Sequence, residues 1–67
     1  MKEFSERLKE LRQARNLTQT QLADAVGVSF ATISKWERMQ RQPTLENIKS
    51  LCKFFKVSSD FLIGLEY

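Results

Sequence analysis

Phe30, Ala31, Ser34, Lys35 and Arg38 recur at the spacing that lines one face of an α-helix, while Val28, Ile33 and Trp36 fall on the other. The first set mixes an ammonium, a guanidinium, a hydroxyl and two apolar groups. That mixture suits binding better than bond-breaking, because cations attract a polyanion and small polar or apolar groups can meet base edges. A helix pinned by its inner face, with this surface outward, is shaped to enter the DNA major groove.

Catalysis has no such footing. The chain has no histidine to act as a base and no glycine-rich loop to hold a phosphate. Ser50-Leu51-Cys52-Lys53 fits a Ser-x-x-Lys pattern of some acyl-transfer enzymes, but mid-helix and without partner motifs the match is coincidence. The single Cys52 forms no internal disulfide, and without histidine a zinc site is all but excluded. Cys52 reads as a small buried hydrophobe on a helix stripe. No enzymatic activity, cofactor, metal or small-molecule site is expected.

The outward face needs elements to hold it. Three helix starts share one pattern, an apolar residue, then Ser or Thr, then an apolar residue four positions on: Leu17-Thr18 with Leu22, Val28-Ser29 with Ile33, and Val57-Ser58 with Leu62. Each reads as an N-cap hydroxyl with a hydrophobic staple, and Thr18 with Gln21 makes a capping box. Thr44 after Pro43 starts a fourth helix with Glu46 in its first turn. The first helix carries Phe4, Leu8, Leu11 and Ala14 on one stripe and ends at Asn16, a plausible left-handed residue. Ala23 permits close approach of the second helix, and Gly27 can end it with a positive φ. The fourth helix should bury Leu45, Ile48, Leu51 or Cys52, and Phe55; the fifth should run from Ser59 to about Leu65. The expected fold is all-α, a compact five-helix bundle in one domain over residues 1–67.

Length and charge agree with that reading. Sixty-seven residues sit near the lower limit for folding without disulfides or metals, and two glycines with one proline disfavour a turn-rich β fold. No apolar run approaches the ~20 residues of a membrane span, and no signal-peptide pattern follows Met1. Through Gln42 eight basic residues face five acidic ones, whereas from Pro43 onward three face three. The excess of positive charge thus lies in the part of the chain that holds the two-helix motif.

The run Leu8-Lys9-Glu10-Leu11-Arg12, Leu17-Thr18-Gln19, Leu22-Ala23, Gly27-Val28-Ser29, Ile33-Ser34, Trp36-Glu37 and Pro43-Thr44-Leu45 resembles the Cro and phage-repressor type helix-turn-helix family. The ending from Phe55 through Val57-Ser58, Asp60 and Leu62-Ile63-Gly64 is similar to that family's fifth helix. The resemblance implies a lambda-repressor-like domain that regulates transcription, by default as a repressor, and binds a pseudo-palindromic double-stranded operator as a homodimer. It implies a cytoplasmic, nucleoid-associated protein of bacterial or phage origin. By position, Ser29, Phe30, Ala31, Ser34 and Lys35 are base-facing, and Gln19, Thr32, Arg38, Arg41, Thr44 and Asn47 meet the phosphate backbone. Arg12 and Glu37 match a pair that braces the first helix to the third.

Two positions depart from the family pattern. Met39 stands where glycine is usual, so either the turn after the third helix is rebuilt or a strain of roughly 1 kcal/mol is tolerated. Phe30 stands where a polar side chain is common. Phe61, Leu62, Leu65 and Tyr67 exceed what one short terminal helix can bury, which suggests a two-fold dimer patch or crowding against the first helix. A rival reading keeps the fold as a protein-interaction module, antitoxin-like or an anti-repressor partner, that has lost DNA binding.

Overall fold

Hydroxyl caps set the start of every helix after the first. In the computed structural model, which describes residues 2–65, α1 (Lys2–Ala14), α2 (Gln19–Val26), α3 (Phe30–Glu37), α4 (Leu45–Phe55) and α5 (Ser59–Ile63) follow in order. Thr18, Ser29, Thr44 and Ser58 are the N-caps, each accepting from the backbone N–H three residues on. Thr18 and Gln21 close the expected capping box, with Gln21 N–H to Thr18 Oγ1 at 3.0 Å and Thr18 N–H to Gln21 Oε1 at 2.8 Å. Thr44 and Asn47 form a second box, in which asparagine replaces the glutamate or glutamine of the usual motif.

Left-handed residues stop the helices. Gly27 ends α2 at φ 75°, and Asn16 follows α1 at φ 56°. Met39 also takes φ 60°, so the turn after α3 keeps the shape that glycine would favour and methionine bears the strain. Around it, Met39 N–H reaches Trp36 O at 3.2 Å and Gln40 N–H reaches Lys35 O at 2.8 Å, the paired bonds of a Schellman ending. Lys56 closes α4 in the same conformation, at φ 58°.

The stripes converge on one core. Phe4, Leu8, Leu22, Ala23, Ile33, Trp36, Leu51, Phe55 and Leu62 are all buried, with Phe4 edge-on to Trp36 at 5.9 Å between ring centres. Full burial of a leucine or isoleucine contributes about 1.5–3 kcal/mol, and one such residue from each helix shares this cluster. α1 packs on α3 and α5, α2 on α3 and α4, and α4 on α5. The one buried polar side chain among the described residues is Ser5, whose hydroxyl donates to Trp36 O at 2.5 Å.

Four expectations need correction. Ala14 is exposed, because it lies about 80° round α1 from Phe4 at 3.6 residues per turn. Leu45 is 69% exposed, since it opens α4 about 120° round from Leu51. Cys52 is half-buried, at the edge of the core. α5 ends at Ile63, where Gly64 turns left-handed at φ 85°, and Leu65 lies beyond the helix.

Candidate nucleic-acid interface

Ala23 is the pivot between α2 and α3. Its carbonyl accepts from Gly27 N–H at 2.9 Å and from Val28 N–H at 3.0 Å, which turns the chain sharply into the Ser29 cap. Ile33 and Trp36 then hold α3 by its inner face. Outward stand Phe30, 53% exposed, with Ala31 and Lys35 exposed and Ser34 half-buried. Beyond the helix end, Arg38 and Arg41 are exposed. Lys35, Arg38 and Arg41 have no side-chain hydrogen bond or ion pair among the described residues, so all three cations remain available to an anion.

The far end of α3 is braced by charge. Arg12 grips Glu37 with two donors, Nε to Oε2 at 2.7 Å and Nη2 to Oε1 at 3.0 Å, and Nη1 donates to Leu17 O at 2.8 Å. The bond to Glu37 raises the Arg12 pKa further, against the opposing effect of desolvation, so the guanidinium stays charged. The Glu37 side chain is only 4% exposed, and removing either partner strands a buried charge. Gln19 Nε2 donates to the same Glu37 Oε1 at 3.1 Å. The start of α2, the end of α3 and the last turn of α1 thus meet at one carboxylate. One amide hydrogen of Gln19 remains to donate outward.

Several polar groups predicted to face DNA are already engaged. Ser29 Oγ accepts from Thr32 N–H at 3.1 Å and shares a hydrogen with Thr32 Oγ1 at 2.9 Å. Thr44 donates its hydroxyl to Asn47 Oδ1 at 2.7 Å, and its backbone N–H reaches the same oxygen at 3.0 Å. The Asn47 amide nitrogen, with no partner among the described residues, is the free donor at the start of α4.

A model of the helix-turn-helix family matches residues 8–62, most of the chain. The chain belongs to the helix-turn-helix family. It is 47% identical over 64 residues to the HTH-type transcriptional activator BcrR of Enterococcus faecalis, covering 96% of this chain and 31% of BcrR. This helix-turn-helix chain spans between 31% and 55% of the length of the first curated relatives it matches. Among solved structures it resembles the P22 c2 repressor in complex with synthetic operator 9T, with TM-score 0.83, 37% identity, and 88% and 89% of the two chains covered. It also resembles the restriction-modification controller protein C.AhdI of Aeromonas hydrophila, with TM-score 0.82, 34% identity, and 91% and 92% covered. The fold is therefore that of phage-repressor helix-turn-helix domains, five helices without a strand among the described residues.

In this helix-turn-helix protein the arginines of α1, and Arg15 just after it, are turned back onto the chain. Arg15 donates to Phe54 O at 3.1 Å and Phe55 O at 3.0 Å and lies over both rings, 5.3 and 5.2 Å from their centres. Arg7 donates to Phe61 O and covers the Phe61 ring at 4.5 Å. With Arg12 on Glu37, three of the cations counted toward a basic surface serve as tertiary clamps. The charge excess of the first 42 residues therefore overstates the basic surface of the motif. Sequence reasoning missed the roles of Arg7, Arg15 and Ser5, because each partner lies 31 or more positions away.

The expected dimer residues separate. Leu62 has no exposed surface and belongs to the core of its own chain, so it cannot line a free patch. Its place on the inward side of a single-turn helix consumes it. Phe61 is half-buried beneath Arg7, and Leu65 is 53% exposed. Tyr67 lies outside the described residues. Among the described residues no cluster of His, Cys, Asp or Glu is placed to hold a metal ion, and no helix is long and apolar enough to cross a membrane.

Proposed function

We propose that this chain is a sequence-specific double-stranded DNA-binding regulator of transcription that acts as a homodimer, with repression by promoter occlusion as its mode. The observation that carries the reading is the state of α3. Its inner face is buried and both ends are fixed by hydrogen bonds, while Phe30, Ala31 and Lys35 stand exposed. The P22 c2 repressor, solved on its operator, supports the same reading through a closely similar backbone. Nothing here calls for catalysis.

In this reading Lys35 donates to a guanine edge, Phe30 and Ala31 meet thymine methyls, and Ser34 and Ser29 lie beside them. Arg38 and Arg41 neutralise phosphates, while Gln19, Asn47, Thr44 and Thr32 lie along the same backbone. The Gln19 donor starts α2, where the helix dipole also favours an anion. Two copies paired through the region of Leu65 place their recognition helices on half-sites one helical turn apart, about 34 Å.

Selection from a randomised duplex pool tests this reading. A gapped inverted repeat should emerge, and failure to enrich any sequence overturns it. On the enriched site Lys35→Ala should lose about 1–3 kcal/mol and relax preference at one base pair. An equal loss on random duplex instead assigns Lys35 to phosphate.

A further inference from the structure

Ser5 stands two turns before Arg12 on α1, and both reach the last turn of α3. The Ser5 hydroxyl, in a residue 4% exposed, donates to Trp36 O at 2.5 Å. Arg12 holds the next residue, Glu37, with two bonds. The opposite end of α3 is secured by other means, the Ser29 cap and the packing of Val28 and Ile33. Ser5 and Arg12 thus set how the C-terminal half of the helix lies, and Ser34 and Lys35 sit in that half.

The carbonyl that Ser5 holds is also the acceptor for Met39 N–H, at 3.2 Å. Met39 occupies the left-handed region at φ 60° and is 60% exposed, so no packing of its own side chain offsets the strain. The Ser5 hydroxyl is therefore fixed at the turn where α3 is under most backbone tension. Without it Trp36 O keeps only backbone donors, the N–H groups of Arg38 and Met39, and the strained turn can relax by tilting the helix end.

We propose that Ser5 is a positioning residue for base recognition: by clamping Trp36 O from α1 it fixes the tilt of α3 that brings Lys35 to its base pair. The inference rests on the DNA-binding reading above. It separates two kinds of contact. Base-edge hydrogen bonds need donor and acceptor within a few tenths of an ångström, whereas the long exposed side chains of Arg38 and Arg41 follow a phosphate through a small shift. Loss of the clamp should lower discrimination and leave general affinity in place.

The test compares anisotropy titrations of the selected duplex and a random duplex at one salt concentration, below the melting temperature of each variant. Ser5→Ala should reduce the selected-over-random affinity ratio about tenfold, the upper end of what one hydrogen bond's net worth converts to, with random-duplex affinity unchanged. Ser5→Cys keeps the shape of the side chain but offers a larger, weakly donating atom, and should behave like Ser5→Ala. Met39→Gly in the Ser5→Ala background removes the strain and should restore part of the ratio. An unchanged ratio in Ser5→Ala, or an equal loss on both duplexes, overturns the inference while leaving DNA binding intact. A wild-type protein with no preference between duplexes overturns the functional reading, and this one with it.

Discussion

Single residues carry the conformational cost of this fold. Asn16, Met39 and Lys56 all hold a positive φ without being glycine, and asparagine alone among them is tolerant of that region. Lys56 is the simplest case. Its side chain is exposed, while its N–H and that of Val57 both close on Cys52 O, the latter at 3.2 Å. Lys56→Gly should therefore stabilise the protein by about 0.5–1 kcal/mol, the left-handed penalty less the extra chain entropy of glycine. Urea denaturation checks it, with the midpoint expected to rise at constant m-value. Gly64 shows the reverse situation. At φ 85°, a Cβ there would lie 2.6 Å from Glu3 Cβ, so alanine would meet both backbone strain and α1.

Helix starts were legible in the sequence because their chemistry is local. Thr18, Ser29, Thr44 and Ser58 cap by bonding three residues away, and the staples reach only four. The inward stripes of α2 and α3 followed from the same short spacing. Helix ends and faces near them were less legible: Ala14 and Leu45 sit in terminal turns, where apolar character says little about which way a residue points. The clamps were invisible, since nothing near Arg15 indicates that it will cap α4. That clamp governs an element. α4 ends in carbonyls with no helical partner, and Arg15 satisfies those of Phe54 and Phe55 while stacking over their rings. Arg15→Ala should cost about 1 kcal/mol and speed amide exchange at Lys56 and Val57, whose bonds close that last turn. Unchanged exchange at both positions would show that the two bonds to Cys52 O alone hold the helix end.

At the scale of the whole molecule, the division of arginines decides how the protein should respond to salt. A formal net charge of +3 says little about DNA, because Arg7, Arg12 and Arg15 are turned onto aromatic rings, carbonyls and Glu37. Arg7 and Arg15 meet α5 and α4, and Arg12 meets the buried Glu37 at the end of α3, so none of the three lies on the outward face of that helix. In the proposed complex each copy has Arg38 and Arg41 as charged phosphate ligands, while Gln19 and Asn47 would donate without releasing a counterion. Two copies on one site then neutralise four phosphates, and log K against log salt should fall with a slope of about −3.6. A single copy would give about −1.8 by the same count, so the slope also reports whether the dimer binds as a unit. If Arg7 and Arg15 instead swung from Phe61 and Phe54 to the backbone, four further charges would steepen it to about −7. Measured from low to physiological salt on the selected duplex, the slope thus separates a basic composition from a basic surface, with the aromatic clamps of Arg7 and Arg15 making the difference.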